Sequence, residues 1–176
     1  VKQQVSFDDA AGLAELAAGL DVEFRAGQPG EPAAVFLDGE DISSEVRNET
    51  SGEYASRVAI YPAVREALTA LQRSFARAPG LIADGRDMGT VIFPAATLKI
   101  YLTASAEERA ERRHKQLLNK GQSVNLAALL EDIKARDERD MQRAVAPLKP
   151  APDARVIDST SMPIEDVFKE VISSIK

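Results

Sequence analysis

The stretch Gly80-Leu81-Ile82-Ala83-Asp84-Gly85-Arg86-Asp87-Met88-Gly89-Thr90 carries the strongest signal for the fold. Leu81-Ile82-Ala83 is short and apolar, as a core strand is. It runs straight into Asp84-Gly85-Arg86-Asp87-Met88-Gly89, a loop with acidic and basic residues set among glycines. In open α/β folds ligands bind outside the carboxyl ends of the strands, and glycine lets a backbone approach a ligand closely. Arg86 is placed to take a phosphate. Asp87 is placed to accept a hydrogen bond from a base or a hydroxyl. The competing reading is an ordinary turn with surface charges.

The pattern on either side extends this. Upstream, Pro62 fits the first turn of a helix, and Val64, Leu68, Leu71 and Phe75 follow along one face. Pro79-Gly80 closes that helix. Earlier, Ser6-Phe7-Asp8-Asp9 opens a helix that runs to about Ala18 and stops at Gly19. Val22 and Phe24 alternate with charged neighbours, as do Val35 and Leu37, across a Gly27-Gln28-Pro29-Gly30-Glu31-Pro32 loop. Residues 21–46 therefore read as a small antiparallel β unit. Downstream, Leu98-Lys99-Ile100-Tyr101-Leu102 and residues 154–158 are further core strands. Ser105 and Glu108 form a capping box for a helix ending near Gly121. Asn125 caps another, which runs towards Arg143 and stops before Pro147. Ile164, Val167, Phe168, Val171, Ile172 and Ile175 predict a last helix. Helices alternating with short apolar strands predict an α/β fold with a parallel sheet.

Composition narrows the function. The chain of 176 residues is 44% hydrophobic and 28% charged, ordinary for a soluble globular protein. No apolar run reaches the length a membrane helix needs, and no signal peptide is visible, so the cytoplasm is the expected location. With no cysteine, disulfides, thiol catalysis and cysteine zinc sites are excluded. His114 alone leaves no multi-histidine metal site. A net charge of −6 argues against a general nucleic-acid binder. Arginines nevertheless gather between positions 86 and 143: Arg86, Arg109, Arg112, Arg113, Arg136, Arg139 and Arg143. The planar guanidinium fork suits phosphate, so a small phosphorylated ligand is expected. Solvated helix faces with i,i+4 ion pairs would give a similar composition.

Two helical segments hold most of these arginines. In Arg136-Asp137-Glu138-Arg139-Asp140-Met141-Gln142-Arg143, the residues Arg136, Asp140 and Arg143 share one helix face. That face can hold two cations over a phosphate while Asp140 anchors a ribose hydroxyl; the competing reading is an internally paired surface helix, and losing Asp140 should barely change stability if the face is solvated without ligand. Glu107-Glu108-Arg109-Ala110-Glu111-Arg112-Arg113 reads either as a salt-bridged surface helix or as a mobile segment that lays arginines over transferring phosphates. Gly121, between two helices, would suit a lid.

Read together, Gly85-Arg86-Asp87-Met88-Gly89-Thr90, the Glu-Arg-Ala-Glu-Arg-Arg run and Arg136-Asp137-x-Arg139-Asp140-x-x-Arg143-x-x-x-Pro147-Leu148 resemble bacterial cytidylate kinases. Asp41-Ile42-Ser43, Tyr61-Pro62-x-Val64-Arg65 and Asp158-Ser159-Thr160 match as well. The resemblance covers most of the chain, and the order of the motifs is more specific than any one of them. It implies an α/β fold of the P-loop nucleoside monophosphate kinase type, with a parallel sheet, a small antiparallel β insert over residues 19–61 and a helical lid with its flanking helices over residues 105–145. Residues 1–176 would be one kinase domain without its N-terminal P-loop part. The implied reaction moves a phosphoryl group from ATP, with Mg²⁺, to CMP or dCMP in pyrimidine metabolism. A monomer is implied, without nucleic-acid or membrane partners.

The resemblance also implies roles. Ser56, Arg65 and Asp87 would recognise cytosine, Arg136 and Asp140 the ribose, and Arg86 and Arg143 the CMP phosphate. Arg109, Arg112, Arg113 and Arg139 would belong to the lid over the ATP phosphates or flank it, with Arg112, Arg113, Arg139 and Arg143 neutralising the transferring group. Asp158, Ser159 and Thr160 would lie near the adenine. No metal ligand is assigned. The chain departs from the family in lacking its G-x-x-x-x-G-K-[ST] loop, with the strand before it and the helix after it. It begins at Val1, so it is expected to be part of something longer, and residues 1–176 alone are expected to be inactive. A UMP or AMP kinase and a non-catalytic CMP-binding module are the alternatives. The trio Ser56, Arg65 and Asp87 separates the first, because uracil lacks the exocyclic amine.

Overall fold

A computed structural model of the chain describes residues 5–28, 31–119 and 121–175. Pro29 and Gly30 of the expected loop, and Lys120 beside the expected lid tip, lie outside the described residues. The chain forms two units, the first ending at Leu81 and the second beginning at Ile82.

In the first unit Asp9 starts helix α1, Ala10–Ala18, by accepting the Gly12 amide at 2.9 Å, and Gly19 ends it. Strands β1 (Val22–Arg25), β2 (Ala34–Leu37) and β3 (Glu40–Asp41) make an antiparallel sheet in that order. Val22 pairs with Leu37 and Arg25 with Ala34. Asp38 and Gly39 join β2 to β3 with φ of 51° and 79°. Two positive φ values are what a tight hairpin turn demands, and Asp-Gly supplies them at low cost. Helix α2 (Glu49–Val58) was not visible in the sequence, because Thr50-Ser51-Gly52 favours helix poorly. It starts because the Asn48 side chain accepts the Ser51 amide at 2.7 Å. Helix α3, Pro62–Ser74, opens on its proline as expected. It packs on α1, with Ala17 and Val64 buried.

The second unit holds the parallel strands β4 (Ile100–Thr103) and β5 (Arg155–Asp158), with Ile100 opposite Arg155 and Thr103 opposite Asp158. Helices α4 (Ala106–Asn119) and α5 (Leu126–Gln142) pack on each other, and α6 (Ile164–Ser173) follows β5. Gly121, at φ 75°, ends α4. Its amide bonds Leu118 O at 2.9 Å while the Gln122 amide bonds Leu117 O at 3.0 Å, the paired bonds of a left-handed helix cap. Asn125 caps α5 by accepting the Ala128 amide at 3.1 Å. The architecture is α/β, as expected, with parallel strands, helices and a small antiparallel sheet.

Two local expectations need correction. Leu81-Ile82-Ala83 forms no strand, and Ile82 is 97% exposed. An apolar run becomes a strand only where a neighbouring chain segment offers paired amides and carbonyls, and none does so there among the described residues. The loop after it instead closes into a single π turn, Met88–Ile92. The capping box is half made. Ser105 Oγ accepts the Glu108 amide at 3.1 Å, but the Glu108 carboxylate accepts from Arg112 Nε at 2.7 Å, and the Ser105 amide bonds Thr160 Oγ1 instead.

Adjacent leucines on α4 give a direct check on this packing. Leu117 is 5% exposed and Leu118 49%. Leu117→Ala should lower the unfolding free energy by about 2–5 kcal/mol, while Leu118→Ala should cost under about 1 kcal/mol. Urea denaturation of the two variants measures this, and equal losses would contradict the placement of α4.

Candidate phosphate site

Asp140 sits near the end of α5 and is 3% exposed. A carboxylate this buried has to be paired. Arg86, from the loop before the π turn, donates from Nε to Asp140 Oδ2 at 2.9 Å. Arg136, one turn back on α5, brings its Nε to 4.0 Å from the same oxygen. The buried carboxylate thus gathers two guanidinium groups that lie far apart in sequence. The expectation that Asp140 faces solvent without ligand is therefore corrected: its acid group is enclosed and already committed to arginine.

Arg143 stands at the C-cap of α5, where the backbone leaves the helix at ψ 133°. Its Nε donates to the Asp140 carbonyl at 3.4 Å, and the Leu148 amide bonds that carbonyl at 2.8 Å. Arg143 Nη2 is buried without a hydrogen-bond partner. A buried cationic donor with nothing to donate to is costly, and a phosphate oxygen would satisfy it. Asp87, 7% exposed, begins the π turn, and its carbonyl accepts the amides of Thr90, Val91 and Ile92.

A second cluster lies where α4 meets the end of β5. Arg112 donates Nη1 to Ser159 Oγ at 3.1 Å and Nη2 to Ser159 O at 2.5 Å, besides its bond to Glu108. Ser159 is 2% exposed, and its hydroxyl also donates to Thr103 O at 3.0 Å. Asp158 Oδ1 accepts both the hydroxyl and the amide of Thr160, at 2.6 and 2.9 Å. Those bonds, the hydroxyl's first, hold the Asp158 carboxyl below its usual range. Asp158, Ser159 and Thr160 thus tie β5 to the start of α4. Arg109 makes a two-pronged contact with Asp137 of α5, Nη1 to Oδ1 at 3.0 Å and Nη2 to Oδ2 at 2.5 Å. That partnership raises its pKa above the usual arginine value. Arg113 donates to Gln116 at 3.3 Å, and Arg139 is exposed in the last turn of α5.

Ser56 and Arg65 belong to the first unit. Ser56 on α2 is 6% exposed with its hydroxyl buried and unpartnered. Arg65 on α3 reaches the Ala59 carbonyl at 3.5 Å. Of the expected residues, the structure brings Arg86, Arg136, Asp140 and Arg143 together, and separately Arg112 with Ser159. Sequence reading missed Asp137 as the partner of Arg109. The i,i+4 spacings of Glu108 with Arg112 and of Arg136 with Asp140 carried a sequence signal for such partners. No group of three or more His, Cys, Asp or Glu among the described residues could hold a metal, and no described helix is long and apolar enough to cross a membrane.

The family model for cytidylate kinase matches residues 1–176. The chain is 60% identical over 163 residues to the cytidylate kinase of Pseudomonas entomophila (strain L48), covering 93% of this chain and 72% of that protein. It is 58% identical to the cytidylate kinase of Stutzerimonas stutzeri (strain A1501), covering 93% of this chain and 71% of that one. The cytidylate kinase of Shewanella halifaxensis (strain HAW-EB4) is 54% identical over 175 residues, covering 99% and 76%.

Asp140→Ala should lower the unfolding free energy by about 1–3 kcal/mol, since Arg86 loses its acceptor and Arg136 a nearby counter-charge. Thermal or urea melts in the absence of any nucleotide read this directly. A variant as stable as the parent would show that the buried carboxylate does not organise the two arginines.

Proposed function

The chain belongs to the cytidylate kinase family, and on that footing we propose that it transfers a phosphoryl group from ATP to the 5′ phosphate of CMP or dCMP, giving CDP or dCDP. Its fold is of the α/β nucleoside monophosphate kinase type. The observation that carries the reading is the buried, unpartnered Arg143 Nη2 beside the Arg86–Asp140–Arg136 group. That arrangement is a preformed seat for a phosphate, and the acceptor's own phosphate is the group that fits it.

On this reading Arg86 and Arg143 take the CMP phosphate. Asp140 and Arg136 take the ribose hydroxyls, and Asp140 also holds Arg86 in line. Ser56, Arg65 and Asp87 read cytosine, whose amine, ring nitrogen and carbonyl suit an acid, a hydroxyl and a guanidinium. The buried hydroxyl of Ser56, with no partner of its own, supports that role. Arg109, Arg112, Arg113 and Arg139 serve the ATP side. Arg109 and Arg112 are held by Asp137, Glu108 and Ser159, so ATP phosphates would replace acceptors already in place. Asp158, Ser159 and Thr160 lie on the donor side, with the Ser159 and Thr160 hydroxyls and the Asp158 carboxylate committed to holding the end of β5. Residues 19–61 serve as the monophosphate-binding insert and residues 105–145 as the lid with its flanking helices.

No residue forms a covalent intermediate. Catalysis comes from aligning the two nucleotides and neutralising charge on the transferring group. On this reading Mg²⁺ would come with the ATP phosphates and would supply charge neutralisation there. A monomer working in the cytoplasm completes the proposal.

Asp87→Ala should raise the CMP KM and cut kcat/KM by about 10²-fold, because a base edge loses its acceptor inside a buried site. CDP formation measures the kinetics. Calorimetry on residues 1–176 measures CMP binding. CMP handled as well by the variant as by the parent, or UMP preferred to CMP, would contradict the reading.

A further inference from the structure

Lys99, immediately before β4, has no role in the proposed nucleotide contacts, yet its side chain is only 8% exposed. Buried lysines are rare and need full pairing. Lys99 Nζ donates to the Pro94 carbonyl at 2.6 Å and to Asp153 Oδ2 and Oδ1 at 2.7 and 2.9 Å. Its main chain takes part as well, since Lys99 O accepts the Arg155 amide at 2.9 Å. The Asp153 carboxyl is held below its usual range, first of all by this ammonium. Asp153 is 65% exposed, and an exposed partner of that kind contributes little to stability. The bond to Pro94 and the course of the stem are not explained by a surface ion pair.

The stem lies under the π turn. A Cβ built on Gly89 would stand 3.3 Å from Lys99 Cδ and 3.4 Å from Cγ. The turn therefore rests on the lysine methylenes, with glycine where a side chain would push them aside. At its far end, the chain leaving the turn is held at Pro94 by the ammonium. The turn is itself rigid: Asp87 O accepts three amides, and the Phe93 amide bonds Met88 O at 2.7 Å. A rigid turn moves as one piece. Any shift of its seat displaces Asp87, the residue that caps the turn, and Arg86 next to it, whose Nε lies 2.9 Å from Asp140.

We propose that Lys99 is a positioning residue for CMP binding: its stem beneath Gly89 and its ammonium on Pro94 and Asp153 fix the turn that presents Arg86 and Asp87. The proposal rests on the functional reading above. Lys99 touches no nucleotide and acts through those two side chains.

Lys99→Met keeps the stem and removes the donors, and Gly89→Ala crowds the stem while leaving the ammonium. Both are tested on residues 1–176 by CMP calorimetry, thermal melting and amide hydrogen exchange. Each variant should weaken CMP binding by about 5- to 20-fold. Exchange at Thr90, Val91 and Ile92 should quicken, while amides of α5 such as Leu129 keep the parent's rates. Parent-like CMP affinity in both variants overturns the proposal, as does uniform acceleration across the second unit, which marks a purely structural lysine. If Lys99→Met fails to fold, Gly89→Ala decides by the same criteria. A parent chain that does not bind CMP overturns the functional reading and this proposal with it, whereas a parent that binds beside unaffected variants overturns the role of Lys99 alone.

Discussion

A buried carboxylate must be paired, and Asp140 is paired with arginine. From this the site in the second unit takes its shape. Asp140 reaches from the end of α5 to the Arg86 guanidinium and so ties a loop to a helix far away in sequence. Arg136 adds its charge to the same oxygen from one turn back. The Asp140 carbonyl, meanwhile, takes the Leu148 amide and Arg143 Nε, so the chain after α5 folds back on the residue that anchors the arginines. One side chain and its own carbonyl thus hold three cations in one place. Arg143 adds a buried Nη2 that no protein group accepts. Donors fixed in advance are what phosphate binding favours.

The remaining arginines follow a different rule. Arg109 and Arg112 are clasped by Asp137, by Glu108 and by Ser159. Arg109 and Arg112 lie close together in an acidic protein because each has its own local acceptors. Such pairs are partly exposed and individually weak, so they can exchange carboxylate for phosphate at small cost. In the proposed function the first group takes the acceptor and the second the donor, which suits an enzyme that holds its acceptor firmly and closes over its donor only when both are present.

Helix boundaries were legible where a single residue sets them. Asp9, Pro62 and Asn125 begin helices, and Gly19 and Gly121 end them, because caps act over a few residues. The β unit was legible from its alternation. Helix α2 was not, since its start depends on one Asn48 bond placed before poor helix formers. The strand expected at Leu81-Ile82-Ala83 failed for a complementary reason: apolar character is local, while a strand needs a partner. The site was partly legible. Residue types and helix spacing picked out Arg136, Asp140 and Arg143, and the loop chemistry picked out Arg86. The sequence could not show that Asp140 is buried or that Arg86 is its partner, and it hid Asp137 behind Arg109. Those facts are long-range contacts, and no local pattern encodes them.

In the proposed function the Asp140-centred arginines form a seat for the phosphate of the acceptor nucleotide. Comparing CMP with cytidine by calorimetry on residues 1–176 isolates that seat, because the two ligands share base and ribose and differ in the phosphate. The account predicts that CMP binds about 10²-fold or more tightly, the scale of several charge-assisted hydrogen bonds, and that the difference shrinks as salt is raised. Equal affinity for CMP and cytidine at low salt would contradict it.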